Sequence, residues 1–206
     1  TMFRLPIVMI VVVGIILIAL FRKKKPTIFY FANIVMAIAT NVLFNYAMST
    51  KDRKNKGIHF YIDDYQFERV WQKPKKYLEL LKQFECVIAP DFSVYKNFPM
   101  PLQLYNVYKS RLLTAYWQSQ GLIVIPNITW SDEKSLNFCL NGIPKYSVVA
   151  LSTNGCLNKE TKENFLKCFY KAIEMLQPIK ILIIVEIPRE LENNDKIIKY
   201  NSHLER

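Results

Sequence analysis

Five short apolar runs recur along this chain, and polar side chains capable of chemistry follow each of them. The runs are residues 58–62, 87–90, 122–126, 148–151 and 181–185. The segments between them have the spacing of amphipathic helices, so the pattern predicts repeated βα units with a parallel sheet. Parallel strands in such folds deliver the residues that follow them to one edge, where ligands bind.

The number of strands limits the size of the fold. Residues 42–46 and 196–200 have the composition of two further strands, which gives six or seven in all. A complete eight-stranded βα barrel usually needs about 250 residues, and this chain has 206. We therefore expect an α/β fold that is an incomplete or compact TIM-barrel-like structure, or an open parallel sheet.

An uninterrupted apolar run over residues 5–21 precedes this region and is followed by four basic residues. A helix of that length spans about 25 Å, the short end of what crosses a bilayer. We expect an N-terminal hydrophobic helix that anchors residues 1–26 in a membrane, a connecting hydrophobic segment over residues 27–41 and an α/β domain over residues 42–206 in the cytoplasm. A signal-peptide core, a hydrophobic hairpin and a wholly cytoplasmic protein are the alternatives.

The net charge of +11 is unevenly distributed along the chain. Residues 1–56 carry nine Lys and Arg residues against one acidic residue, whereas the remainder carries 19 against 16. Most of the excess charge therefore flanks the apolar N-terminal segments. The nearly balanced charge of the α/β region does not support nucleic acid as a partner.

Several classes of protein are disfavoured by absent motifs. The four cysteines are widely spaced and form no CxxC pair, which weakens zinc and thioredoxin-like interpretations. The five glycines cannot form a GxGxxG fingerprint or a P-loop, and HExxH and GxSxG are also missing. The sequence thus argues against the common nucleotide-binding loops, zinc proteases and serine hydrolases of those types.

Carboxylates follow three of the five runs. Asp63 and Asp64 come after the first, Asp91 after the second and Glu186 after the last. Converging carboxylates could act as general acid and base, or bind Mg²⁺ or Mn²⁺ through Asp63 and Asp91. The alternative is local structure, since Asp63 with Gln66 fits a helix capping box and Asp91 fits an Asx turn. We take Asp63, Asp64 and Asp91 as the candidate catalytic residues.

Other polar and aromatic residues complete the expected site. Arginines could bind an anion, tryptophan could stack on a ring, and hydroxyl and amide groups could orient a ligand. Ion pairing and core packing are the alternative roles. The candidate ligand-binding residues are Arg69, Ser93, Asn106, Arg111, Asn127, Trp130, Ser152, Thr153 and Asn154.

Five motifs occur in order along the chain. They are FNYA at 44–47 with HFYIDDYQFERVW at 59–71, PDFS at 90–93 with Tyr95, YNVYKSR at 105–111, VIPN at 124–127 with Gly121 and Trp130, and GIPK at 142–145 leading into 148–155. Over about residues 43–186 the chain resembles the domain-of-unknown-function 4417 family. Members of that family occur in bacteria, archaea and phages, so the resemblance implies a domain of phage or mobile-element type. It implies no mechanism.

Two hypotheses about function follow from these observations. The first is a metal-assisted hydrolase or nuclease that uses the aspartates at the strand ends. The second is a non-catalytic module that binds a ligand or nucleic acid. The geometry around the three aspartates distinguishes them.

Overall fold

The computed structural model describes residues 41–200, and all seven strands in that range run parallel. The strands are β1 (Asn41–Leu43), β2 (Gly57–His59), β3 (Cys86–Ile88), β4 (Val124–Ile125), β5 (Val148–Ser152), β6 (Lys180–Ile184) and β7 (Ile197–Tyr200). Strands β1–β4 form one sheet in chain order, and β5–β7 form a second sheet, also in chain order. The predicted α/β class with parallel strands is confirmed.

A single bridge connects the two sheets. Asn127 and Ala150 pair in parallel just beyond the end of β4. The Ala150 N–H donates to the Pro126 carbonyl at 2.9 Å, and the Ile128 N–H donates to the Ala150 carbonyl at 2.8 Å. The seven strands therefore follow one another in chain order across both sheets.

α-Helices occupy the intervals between strands from β2 to β6, as the apolar spacing predicted, whereas the first and last intervals contain 3-10 turns. The five α-helices are α1 (Asp64–Gln72), α2 (Pro74–Leu81), α3 (Met100–Ser119), α4 (Leu136–Cys139) and α5 (Lys162–Leu176), and single 3-10 turns cover Phe44–Tyr46, Arg53–Asn55 and Arg189–Leu191. Helix α2 begins at Pro74, whose fixed φ suits the first helical position and whose missing N–H costs nothing there. Helix α5 buries Phe165, Phe169 and Ala172 on one face.

Strand side chains alternate between two faces, and each face has its own core. Val87 and Val124 pack among the aromatic residues beneath α1, α2 and α3, whereas Ile181 and Ile183 pack against α5. The opposite face of the strands carries a third cluster that draws on both sheets: Cys86, Ile88, Ile125, Ala150, Leu182 and Ile184. Full burial of an aliphatic or aromatic side chain stabilises the fold by about 1.5–3 kcal/mol.

Two predicted strands end earlier than their apolar runs. After β2, the Ile62 N–H donates to the Phe60 carbonyl at 2.8 Å, a three-residue turn that takes residues 60–62 out of the ladder. His59 is therefore the last residue of β2. At β1, the predicted strand over 42–46 gives way at Phe44 to a 3-10 turn.

The predicted membrane anchor over residues 1–26 lies outside the described residues, as does nearly all of the connecting segment over 27–41. Within residues 41–200, no helix combines the length and apolar character needed to cross a bilayer.

Removal of residues 1–26 should leave a protein that still unfolds cooperatively. We expect this because residues 41–200 contain buried hydrophobic clusters of their own. Circular dichroism melting of the truncated and full-length chains is the measurement. Aggregation of the shorter chain without a cooperative transition would show that the removed segment belongs to the core.

Candidate functional site

A cleft of about 800 Å³ lies at the carboxyl ends of the strands. Its lining includes Tyr61, Asp63 and Asp64 after β2, Asp91 and Ser93 after β3, Trp130 after β4 and Ser152 at the end of β5. Pockets of about 300–1,000 Å³ are typical of small-molecule sites. The parallel topology thus brings the residues that follow successive strands to one end of the molecule, as the sequence pattern predicted.

Asp91 has one oxygen held by the protein and one oxygen left free. The Asn127 side-chain amide donates to Asp91 Oδ1 at 2.7 Å, and the Tyr61 hydroxyl donates to the Asn127 Oδ1 at 2.8 Å. These two contacts fix the orientation of the amide and of the carboxyl group. Asp91 Oδ2 has no hydrogen-bond partner among residues 41–200, so it is available to a ligand in the cleft.

The protonation of Asp91 is unusual for a carboxyl group. Burial raises its pKa to about 7; the hydrogen bond from Asn127 opposes this rise, and the nearby charge of Asp64 adds to it. At neutral pH the group is therefore present in both its protonated and ionised forms, which suits a general acid–base. Burial, together with Asp91, also raises the pKa of Tyr61 well above its usual range, so the phenol remains a hydrogen-bond donor.

Asp64 acts as a clamp on the neighbouring loop. Its carboxylate accepts hydrogen bonds from the Ser93 N–H at 3.0 Å and from the Ser93 hydroxyl at 2.9 Å. Both of its oxygens are occupied, because the same N–H also lies 3.2 Å from Oδ1. Asp64 therefore ties the start of α1 to the loop that carries Asp91.

Asp63 is exposed at the edge of the cleft and does not form the expected capping box. Helix α1 begins at Asp64, which places Asp63 at the N-cap position as that motif requires, but the Asp63 side chain makes no capping hydrogen bond. Gln66 instead donates from its side chain to the Asp63 carboxylate at 3.3 Å, and its other end accepts a hydrogen bond from Asn45.

The three aspartates thus have different surroundings, and they do not form a metal cage. In the part of the chain that the structure describes, no three His, Cys, Asp or Glu side chains come together in an arrangement that could hold a metal ion. Mg²⁺ or Mn²⁺ at Asp63 and Asp91 would have to complete its shell with water or substrate oxygens. The metal site at Asp63 and Asp91 stays a prediction.

The polar side of α3 supports the loop after β3. The Asn106 side-chain amide donates to the Ser93 carbonyl at 2.7 Å, and the Ser110 hydroxyl donates to the Pro90 carbonyl at 2.7 Å. These two contacts bracket Asp91 in sequence. Asn106, predicted as a ligand-binding residue, is buried and instead positions the backbone beside the candidate acid.

Lys109 lies on the same side of α3 and is 6% exposed. Its ammonium group forms an ion pair with Glu68 at 2.9 Å and sits 3.9 Å from the centre of the Phe92 ring. A buried ammonium group is tolerated only with such partners. The contact ties α3 both to α1 and to the residue that follows Asp91.

Arg111 does not line the cleft, although the sequence suggested a ligand-binding role. Its guanidinium group donates to the carbonyl of Asn141 at 3.0 Å, of Cys139 at 2.5 Å and of Asn127 at 3.3 Å. Burial lowers its pKa to about 10, so it remains charged at neutral pH. Arg111 therefore fastens α4 and the segment after β4 to α3.

Two other predicted ligand-binding residues have structural surroundings. Arg69 is exposed, and its guanidinium group lies 5.1 Å from the centre of the Phe44 ring, away from the cleft lining. The Thr153 hydroxyl donates to the Glu186 carbonyl at 2.8 Å and accepts from the Glu186 N–H at 3.1 Å. Thr153 thus joins the ends of β5 and β6, and Glu186 lies outside the cleft lining.

Ser152, Asn154 and Trp130 do line the cleft. Trp130 packs against Phe165 of α5, with ring centres 5.6 Å apart. The Asn154 N–H donates to the Ser152 hydroxyl oxygen at 3.1 Å, and Asn154 is exposed at the edge of the cleft.

Several residues at the site were not singled out from the sequence. Tyr61 lies within a predicted strand run, and the sequence pattern indicates loop or core positions for the aromatic residues Tyr95, Phe98 and Phe165. Lys109 and Ser110 of α3 were also missed, although they are polar residues at helical spacing from the predicted Asn106, in a helix with many apolar neighbours.

Two titratable residues near the cleft are poor catalytic candidates. Burial, together with the charge of Asp91, raises the pKa of the Cys156 thiol to about 11, so it is not a thiolate at neutral pH. Burial lowers the pKa of His59 to about 4 and keeps its imidazole neutral. Its Nδ1 faces the Tyr61 N–H at 3.4 Å, within the protein rather than the cleft.

The fold and site together define a parallel α/β protein with a ligand-sized cleft at the carboxyl ends of its strands. The chain belongs to the family described as "Domain of unknown function (DUF4417)", whose model matches residues 31–201. The match extends beyond both ends of the resemblance recognised from the motifs at about 43–186.

The relatives include two phage proteins. The chain is 42% identical over 131 residues to the Gene 1 protein of Mycobacterium phage L5, covering 63% of this chain and 57% of that protein. It is 34% identical over 126 residues to the Gene 1 protein of Mycobacterium phage D29, covering 61% and 47%. The chain thus spans about half the length of the curated relatives it matches. No solved structure shows a significant match.

Proposed function

We propose that this domain is an enzyme that binds a small organic molecule in the cleft and uses Asp91 as its general acid–base. One observation carries the proposal: Asp91 has one oxygen fixed by Asn127 and the other unpaired in a cleft of about 800 Å³. The raised pKa of Asp91 supports the assignment, because a group that titrates near pH 7 can both donate and accept a proton.

The neighbouring residues have positioning roles in this proposal. Tyr61 and Asn127 set the orientation of the carboxyl group, and Asn106 and Ser110 hold the backbone on either side of it. The reaction can be a hydrolysis, and none of the steps assigned to these residues requires a metal ion. Catalysis then depends on proton transfer by Asp91 to or from the bound molecule.

A non-catalytic binding module is the second candidate. It is favoured by the aromatic side chains at the edge of the cleft, where Tyr65 is 79% and Tyr95 58% exposed. Exposed aromatic rings around a pocket supply contact area for a ligand without taking part in chemistry.

We also infer that the strands curve into an incomplete TIM-barrel-like arrangement. The chain order β1 to β7 across both sheets supports this, as does the cluster on one face that joins Ile88, Ile125, Ala150 and Leu182 from four successive strands. An active site at the carboxyl ends of the strands is usual for such folds.

The proton-transfer role is tested by comparing two aspartates. Full-length protein is screened for conversion of a panel of small hydrolysable and isomerisable compounds, and any activity is measured in Asp91→Asn and Asp63→Asn variants. General acid–base catalysis contributes typically 10²–10⁴-fold, so Asp91→Asn should lower turnover by about 100-fold or more. Asp63→Asn, at an exposed position, should change it by less than about threefold.

Ligand binding without turnover, unaffected by Asp91→Asn, would favour the binding module instead. A direct check is ¹³C NMR titration of the aspartate carboxyl groups, with the Asp91 signal assigned by the Asn variant. A midpoint near pH 4 for Asp91 would contradict the acid–base role.

A further inference from the structure

We propose that the cleft selects an uncharged planar heterocycle of nucleoside type and rejects the phosphorylated form of the same molecule. This inference rests on the proposed function, because it concerns the same cleft and the same carboxyl group. Three features support it: the pairs of aromatic residues in the lining, the unpaired oxygen of Asp91 and the excess of acidic over basic residues in the lining.

Aromatic residues line the cleft in two separate pairs. Trp130 and Phe165 have ring centres 5.6 Å apart, and Tyr95 and Phe98 have ring centres 5.0 Å apart in an edge-to-face arrangement. The first pair comes from the segment after β4 and from α5, and the second comes from the loop before α3. Aromatic side chains stack on planar heterocyclic rings whatever substituents those rings carry.

The unpaired oxygen of Asp91 provides the polar recognition. A carboxyl group that exchanges its proton can donate a hydrogen bond in one form and accept in the other. Heterocyclic bases carry donor and acceptor atoms along one edge, so a base can form a hydrogen bond with the carboxyl group of Asp91 in either form. Ser152 and Asn154, also in the lining, add hydroxyl and amide groups nearby.

The charge of the cleft is opposite to that of the whole chain. Among the described residues, its lining includes the acidic residues Asp63, Asp64, Asp91 and Glu160 but one basic residue, Lys96. The arginines expected to bind an anion, Arg69 and Arg111, lie outside the lining. A phosphate dianion would meet like charges in a partly enclosed space, which disfavours its binding.

Calorimetric titration of the full-length protein tests the inference. Adenosine, guanosine, cytidine and uridine, and their 5′-monophosphates, are titrated at pH 7 with and without Mg²⁺. At least one nucleoside should bind, and its monophosphate should bind at least tenfold more weakly in both conditions. A monophosphate that binds as tightly as its nucleoside, with or without Mg²⁺, overturns the inference, and so does failure of all four nucleosides.

Charge reversal separates the electrostatic effect from other causes. Asp63→Lys and Glu160→Lys, both at exposed positions of the lining, should improve monophosphate binding by about tenfold and leave the nucleoside affinity within twofold. Glu79→Lys on α2, outside the lining, is the matched control and should change neither. Equal effects of all three substitutions would contradict an electrostatic barrier in the cleft.

A tryptophan pair tests the stacking. Trp130→Leu should weaken nucleoside binding by about tenfold, whereas Trp71→Leu should not, because Trp71 packs edge-to-face on Tyr105 outside the lining. No loss in Trp130→Leu overturns the stacking role. The NMR titration of Asp91 separates failure of this inference from failure of the proposed function. A midpoint near pH 7 without nucleoside binding contradicts the ligand class alone. A midpoint near pH 4 contradicts the acid–base role.

Discussion

The Asp91→Asn variant should be more stable than the wild-type protein at pH 8, by on the order of 3 kcal/mol, and nearly equal to it at pH 4. Burial raises the pKa of Asp91 to about 7 in the folded protein, while an unfolded aspartate titrates near 3.8. Between these values the folded state binds the additional proton, so the contribution of this group to stability falls as pH rises. Asparagine keeps the shape and can still accept from Asn127.

Urea unfolding of both proteins at several pH values between 4 and 8 measures the effect. The difference between them should grow steadily with pH and level off above about pH 7. A difference that is independent of pH, or a variant that is less stable at pH 8, would contradict the buried state of Asp91.

His59 has the opposite effect to Asp91 on the pH dependence of stability. Its pKa is lowered by burial to about 4, so the unfolded state binds the additional proton between about pH 6.5 and pH 4. Its contribution to stability is complete above pH 6.5 and is lost as pH falls. Asp91 and His59 therefore offset each other over this range, and a His59→Gln variant should leave a profile that declines with rising pH.

The Arg111→Met variant should lose about 3 kcal/mol of stability. Methionine retains most of the apolar stem but removes the charge-assisted hydrogen bonds to the carbonyls of Asn127, Cys139 and Asn141. Hydrogen bonds of charged groups contribute about 1.5–3 kcal/mol each, and the partial exposure of the site reduces the total. Because one of these carbonyls belongs to Asn127, the midpoint of the Asp91 titration should shift as well.

Arg69→Met is the matched comparison. Arg69 is exposed and makes a cation–π contact with Phe44, a kind of contact worth about 0.5–1 kcal/mol at such sites. Chemical denaturation of the two variants should therefore separate them clearly. A loss in Arg111→Met no larger than that in Arg69→Met would show that the three carbonyl contacts contribute little.

The strands could be predicted from the sequence because each is a local signal. Residues 86–88, 148–151 and 181–184 are short apolar runs between polar segments, and nothing distant is needed to recognise them. The ends of the strands were less predictable. The turn that stops β2 at His59 depends on the hydrogen bond from the Ile62 N–H to the Phe60 carbonyl, and both residues lie inside the predicted strand run.

The roles of the aspartates could not be separated from the sequence. Asp64 and Asp91 both follow strands, but only the tertiary structure brings the Ser93 N–H to one and the Asn127 amide to the other. The same limit applies to Arg111, because its partners are backbone carbonyls, which every residue carries. Sequence identifies where polar side chains meet, and the fold decides which of their atoms are already engaged.

Asn127 contributes both to the junction between the two sheets and to the support of Asp91. Its backbone bridges to Ala150, while its side chain holds the carboxyl group. Opening of the junction between the two sheets would therefore disturb the residue that orients the Asp91 carboxyl group. The geometry of the cleft thus depends on both sheets being in place, although Asp91 and Asn127 both belong to the first half of the fold.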